Sequence, residues 1–109
     1  MSLLHRGDVV ALPPPRRAKG HEQQGRRYAV VMQSSDLASL STVLVAPTSS
    51  RAQGSTFRPA VTVRGRHTRL LVEQLRVVDR GRLATPVGHL SAHEMHDVDE
   101  ALKIFFGLV

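Results

Sequence analysis

Tyr28-Ala29-Val30-Val31-Met32 carries an apolar or aromatic side chain at every position. A strand that packs on one face alternates apolar and polar residues, so an unbroken apolar run points to a strand covered on both faces, or nearly so. Outward from it, similar short runs recur. Toward the N-terminus, Gly7-Asp8-Val9-Val10-Ala11-Leu12 reads as a strand halted by Pro13-Pro14-Pro15, because three prolines cannot continue a ladder. Between these two runs, Arg16 to Arg26 is polar, basic and punctuated by Gly20 and Gly25, a long exposed loop of the kind that is often functional. Toward the C-terminus, a polar turn region from Ser34 to Ser41 leads into a third strand, Thr42-Val43-Leu44-Val45-Ala46, expected to stop at Pro47.

Beyond the loop Thr48 to Thr56, Ala60-Val61-Thr62-Val63 reads as a fourth strand. Arg64-Gly65-Arg66-His67 turns the chain, and Arg69 to Val78 is expected to form one long or kinked strand. Short strands at regular spacing with turn signals between them suggest a small barrel or sandwich. The C-terminus changes period. Ser91-Ala92-His93-Glu94 is a capping box, and Met95, Val98, Leu102 and Phe105 follow at helical spacing as a stripe that would lie on the barrel. Asp97, Asp99 and Glu100 are expected to face solvent, and Gly107 to end the helix. The fold class is therefore mainly β with one C-terminal helix, in one domain over residues 1–109.

Charge narrows the function. Thirteen of the fifteen basic residues are arginine; residues 1–90 hold fourteen basic and five acidic residues, whereas 91–109 hold one basic and four acidic. A basic body with an acidic tail points to a polyanion surface on the body, and arginine's planar fork suits phosphate. With one Tyr, three Phe and no Trp, base-stacking platforms are scarce, which disfavours RNA binders built on aromatic sheets. No cysteine is present, so thiol nucleophiles, disulfides and thiolate metal sites are excluded. His93-Glu94-Met95-His96 lacks the spacing of a helical zinc site, and neither metal nor cofactor is expected. No apolar run approaches the roughly 18 residues of a membrane span, and the N-terminus lacks a secretory layout, so a cytoplasmic protein is expected.

Two segments hold candidate chemistry. Gly20-His21-Glu22-Gln23-Gln24-Gly25-Arg26-Arg27 offers an acid, an imidazole and two guanidiniums where a loop becomes a buried strand. Pro47-Thr48-Ser49-Ser50 offers three hydroxyls where another buried strand ends. Rigid strand ends suit catalytic positioning, and Arg27 could hold a phosphate and the added charge of its transition state. Ordinary readings stand beside these: a surface arginine among thirteen, and hydroxyls serving turn chemistry.

The order of these segments resembles the MazF/PemK toxins along nearly the whole chain. Arg6-Gly7-Asp8-Val9-Val10 is similar to that family's first strand, and Gly20 to Val31 resembles its Gly-Ser-Glu-Gln-x-Gly-x-Arg-Pro-Ala-Val-Val signature. Val45-Ala46-Pro47-Thr48-Ser49 looks like the strand end that carries the family's catalytic hydroxyl. Residues 73–83 resemble its Asp-Gln-x-Arg-Thr-x-Asp-x-x-Arg-Leu segment, and Gly88-His89-Leu90-Ser91 its last strand and cap. The chain departs from the family pattern at Tyr28, usually Pro, at Pro47, usually another apolar residue, and at Glu73, usually Asp.

The resemblance implies an SH3-like barrel of the CcdB/PemK type, a homodimer, and sequence-selective, metal-independent cleavage of single-stranded RNA. It also implies inhibition by a cognate antitoxin. By position it makes Arg27 and Thr48 catalytic, with Glu22 in the loop over the site. His21, Gln23, Arg26, Ser49, Ser50, Glu73, Gln74 and Arg76 are the expected RNA-contacting set. The alternative is a non-catalytic barrel of the same fold that binds nucleic acid or antitoxin. A gyrase poison of the CcdB type is disfavoured, since that family relies on a C-terminal tryptophan and this chain ends Phe106-Gly107-Leu108-Val109.

Overall fold

The computed structural model describes residues 3–13 and 27–108. Seven strands and one helix follow in the order β1 (Asp8–Ala11), β2 (Tyr28–Val31), β3 (Thr42–Ser49), β4 (Ala60–Val63), β5 (Arg66–Leu70), β6 (Arg76–Asp79), β7 (Gly88–His89) and α1 (Ala92–Phe106). Every pairing is antiparallel, and the sheet runs β4-β5-β3-β2-β1-β7 with β6 also on β3. The sheet curls into a nearly closed barrel with α1 packed on it, as the mainly β reading expected.

The unbroken apolar runs are explained by two core clusters on opposite faces of β2 and β3. Val30 and Ala46 point into one cluster, with Val61, Val63, Leu70, Val72 and the helix residues Val98 and Ala101. Ala29, Val31, Val43 and Val45 point into the other, with Leu4, Val10, Leu12 and Val78. Each fully buried valine contributes about 1.5–3 kcal/mol relative to exposure, so these central strands hold the fold. β4 is covered on one face only, and there the alternation is plain: Val61 and Val63 are buried while Ala60 and Thr62 are exposed.

Two strand expectations are corrected. β3 does not stop at Pro47 but continues to Ser49. On its outer side β3 pairs with β6 as far as Val45↔Arg76 and with β5 from Thr48↔Leu70 onward. Pro47 falls in the gap between these partners. Its C=O accepts the Leu71 N–H at 2.9 Å on that same side, so the missing proline N–H breaks no ladder bond. The segment Arg69 to Val78 is likewise two strands, because β5 and β6 pair with different halves of β3 and a short 3-10 turn, Val72–Gln74, joins them.

The helix follows its signals. The Ser91 side chain accepts the Glu94 N–H, and Glu94 accepts the Ser91 N–H at 2.8 Å, while Gly107 ends the helix in the left-handed region at φ 69°. Glu94 also accepts the Thr62 N–H at 2.7 Å, tying the helix start to β4. Val98 is buried and Met95 and Leu102 pack on the barrel, with Ala101 as a further buried contact; Phe105 is exposed and meets Phe57 instead, ring centroids 6.4 Å apart. Asp99 does not simply face solvent, because it pairs with Arg6 at 2.6 Å. At the start of β1, Gly7 holds φ 93° close to the Met95 sulfur, where a Cβ would approach to 2.9 Å.

Candidate active site

The site begins where β2 and β3 lie side by side. Their register is Ala29↔Pro47, Val30↔Ala46 and Val31↔Val45, and one step further Thr48 stands beside Tyr28. The half-buried Thr48 hydroxyl donates to the Tyr28 C=O at 3.2 Å. Arg27, the next residue back, is half-buried and has its own C=O fixed by the Leu12 N–H at 2.8 Å. The ladder thus sets Thr48 beside Tyr28, the residue that follows Arg27. At 3.2 Å the Thr48 bond is at the long end for a hydroxyl donor, so its proton can turn from that carbonyl to a better acceptor.

Arg76 is the third member. It projects from β6, exposed at its tip yet partly desolvated; that desolvation, and then the charges of Arg27 and Arg82, hold it below the ordinary arginine value. An arginine stays protonated regardless, so the effect marks a local excess of positive charge at Arg76. Among the described residues neither Arg27 nor Arg76 forms an ion pair with a carboxylate.

The other expected residues fall in different places. Ser49 is half-exposed at the end of β3 and accepts the Arg51 N–H at 3.2 Å, a turn contact, and Ser50 is exposed just beyond it. Gln74 is exposed in the 3-10 turn before β6. Glu73 is engaged: its Oε2 accepts from Arg58 Nη2 at 2.5 Å and Nε at 3.0 Å. The hydrogen-bonded Arg58 guanidinium holds the Glu73 carboxyl below its ordinary value, and the carboxylate raises Arg58 in turn. His21, Glu22, Gln23 and Arg26 lie outside the described residues. Arg82, absent from the expected set, also bears on Arg76. Its one sequence signal was the Arg-Leu pair closing the residue 73–83 segment.

The histidines serve other ends. His89 Nδ1 lies 2.8 Å from the buried Asp8 carboxylate, and His93 lies 3.6 Å from Asp97 on the exposed helix face. Among the described residues no group of three or more His, Asp or Glu side chains is placed to share a metal ion.

Comparison with known proteins decides the family. Residues 5–106 match the model of the PemK-like, MazF-like toxins of type II toxin–antitoxin systems. The chain belongs to that family. A candidate toxin of Mycobacterium tuberculosis strain H37Rv is 39% identical over 107 residues, covering 97% of this chain and all of that one. The crystal structure of MazF from Deinococcus radiodurans superposes with a TM-score of 0.75 at 26% identity, covering 98% of this chain and 99% of that one. An endoribonuclease from a mycobacterial species, in complex with its cognate antitoxin, gives 0.78 at 12% identity with 96% of both chains covered, a likeness of fold. As in a MazF-like toxin, a nearly closed barrel here carries one C-terminal helix, and no helix among the described residues is long and apolar enough to cross a membrane.

Proposed function

We propose that this toxin is a sequence-selective endoribonuclease that cleaves single-stranded RNA without a metal ion. The observation that carries the reading is the Thr48 hydroxyl on the Tyr28 C=O across the β2–β3 ladder, one residue from Arg27, whose charge and that of Arg76 have no carboxylate partner among the described residues. A guanidinium and a hydroxyl on a rigid edge suit a phosphodiester whose negative charge grows in the transition state.

In this mechanism the ribose 2′-OH attacks the adjacent phosphorus while the bond to the 5′ oxygen of the next nucleotide breaks. The products are a 2′,3′-cyclic phosphate and a 5′-OH end. Arg27 binds the non-bridging oxygens, and Thr48 turns its proton from the Tyr28 carbonyl to the same group. Arginine's high pKa makes Arg27 a poor base, so the proton from the 2′-OH passes to Glu22 or His21 in the preceding loop. His21, Gln23, Arg26, Ser49, Ser50, Gln74 and Arg76 contact the strand. Glu73 acts at the same edge, its carboxylate held by Arg58. The protein works as a cytoplasmic homodimer, a single domain in each chain, and a cognate antitoxin silences it.

The test is a long single-stranded RNA incubated with the protein in EDTA, with the cut ends mapped. Discrete cuts bearing 5′-OH ends are expected. Intact RNA that is still bound would instead support a binding barrel.

A further inference from the structure

Directly after Thr48 and Ser49, the chain leaves β3 in a loop, residues 50–59, and returns as β4. Both ends of that loop meet one residue of β5: Arg69 pairs with Ser49 on one side and with Ala60 on the other. Thr48 pairs with Leu70, the next residue along β5. Neighbouring strands lie roughly 5 Å apart, so Arg69 stands one strand away from the hydroxyl-bearing end of β3.

Its side chain turns into the loop. Arg69 Nη1 donates to the Arg58 C=O at 3.3 Å, and that carbonyl is itself placed by a tight return in which the Arg58 N–H donates to the Ser55 C=O at 3.0 Å. The guanidinium lies against Gly54, where a Cβ would come within 2.7 Å of Arg69 Cζ. Gly54 does not adopt the left-handed backbone that Gly7, Gly65 and Gly107 do. What a glycine supplies at this position is room for the guanidinium.

This seat fixes the group without neutralising it. Residues 50–72 hold five arginines and no Asp or Glu, and Glu73 just beyond is taken by Arg58. Among the described residues Arg69 forms no ion pair, and it is half-exposed. The Arg58 carbonyl uses one of its five donors and carries no formal charge. A guanidinium held in place with donors and charge to spare suits an anion with two oxygens to offer, as a phosphate has.

We propose that Arg69 is a phosphate-binding residue of this site, taking a phosphate that flanks the one cut, and that Gly54 is the seat that fixes its guanidinium. This rests on the RNA-cleaving reading above and adds to it a residue that binds the strand without taking part in the reaction.

The test is binding of a 2′-O-methyl RNA oligonucleotide, which lacks the attacking hydroxyl and stays intact, to the full chain across a series of salt concentrations. Arg69→Gln is expected to weaken binding roughly tenfold at low salt. It should also reduce the slope of log affinity against log salt by about 0.7, the loss of one phosphate contact on a single strand. Gly54→Ala removes no charge but pushes the guanidinium from its seat; it should weaken binding several-fold in wild type and add nothing in the Arg69→Gln background. Arg64→Gln, in the exposed turn between β4 and β5, removes an equal charge and should leave the slope unchanged. On cleavable RNA, Arg69→Gln raises KM and leaves kcat at saturation unchanged. A wild-type slope in Arg69→Gln, an equal fall in Arg64→Gln, or a fall in kcat overturns the proposal while the ribonuclease reading stands. A further loss from Gly54→Ala in the double variant overturns the seat. RNA binding that ignores Arg69 while polyglutamate binding depends on it also overturns the proposal, in favour of an acidic peptide. A wild-type protein that neither binds nor cuts RNA overturns both readings.

Discussion

Arg58 and Arg27 are both half-buried arginines close to the ends of strands, yet they occupy opposite kinds of environment. Arg58 is satisfied within the protein: its guanidinium meets Glu73 at 2.5 Å and lies 5.8 Å from the centre of the Phe57 ring. Arg27 is fixed through its backbone C=O, its charge bears on Arg76, and it has no carboxylate partner among the described residues. One residue type thus does two jobs. A guanidinium matched to a carboxylate ties the chain together, whereas one without such a partner has the chemistry to take an anion.

The largest expected effect follows from the second environment. Arg27→Ala should lower RNA cleavage by roughly 10³-fold, about 4 kcal/mol of transition-state stabilisation, while thermal unfolding shows the fold retained. Next, Thr48→Val keeps the shape and removes the hydroxyl; the rate at saturating RNA should fall by roughly 10- to 100-fold. Both losses should appear in kcat. A change confined to KM would make the pair a binding site and blur its contrast with Arg58.

The paired environment predicts the reverse pattern. Arg58→Met should lower the urea midpoint of unfolding slightly and leave cleavage within about threefold of wild type. The smallest effect concerns acid. Desolvation opposes the charged form of Glu94, but the N–H groups of Ser91 and Thr62 outweigh it and hold the carboxyl below its ordinary value of 4.5. A carboxyl whose folded value is depressed stabilises the protein above its unfolded value, and that stability is lost as pH falls through the folded value. Glu94→Gln should therefore lower the melting temperature slightly at neutral pH, and the gap from wild type should close as pH drops below about 4.

The strands and helix were legible where burial writes a pattern. Val30 and Val31 face opposite cores, which is why the central run has no polar gap, and Ser91 with Glu94 marks the helix start unaided. Pro47 misled because proline normally ends a ladder; that its N–H edge would fall between two neighbouring strands depends on a partner switch that no local pattern encodes. The same switch divides Arg69 to Val78 into two strands. Of the site, Arg27 and Thr48 were legible as strand ends, but their adjacency rests on the β2–β3 register. Arg82 carries one local mark, the Arg-Leu pair that closes residues 73–83, but its bearing on Arg76 is not written in that pair.

The most direct measurement is single-turnover cleavage of a long single-stranded RNA in EDTA by wild type, Arg27→Ala and Arg58→Ala, with mapping of 5′-OH ends. Wild type and Arg58→Ala should give the same discrete cuts at rates within about tenfold of each other, and Arg27→Ala should be slower by roughly 10³-fold. Equal losses in the two variants, or cleavage that survives removal of Arg27, would contradict the assignment of the reaction to the β2–β3 edge.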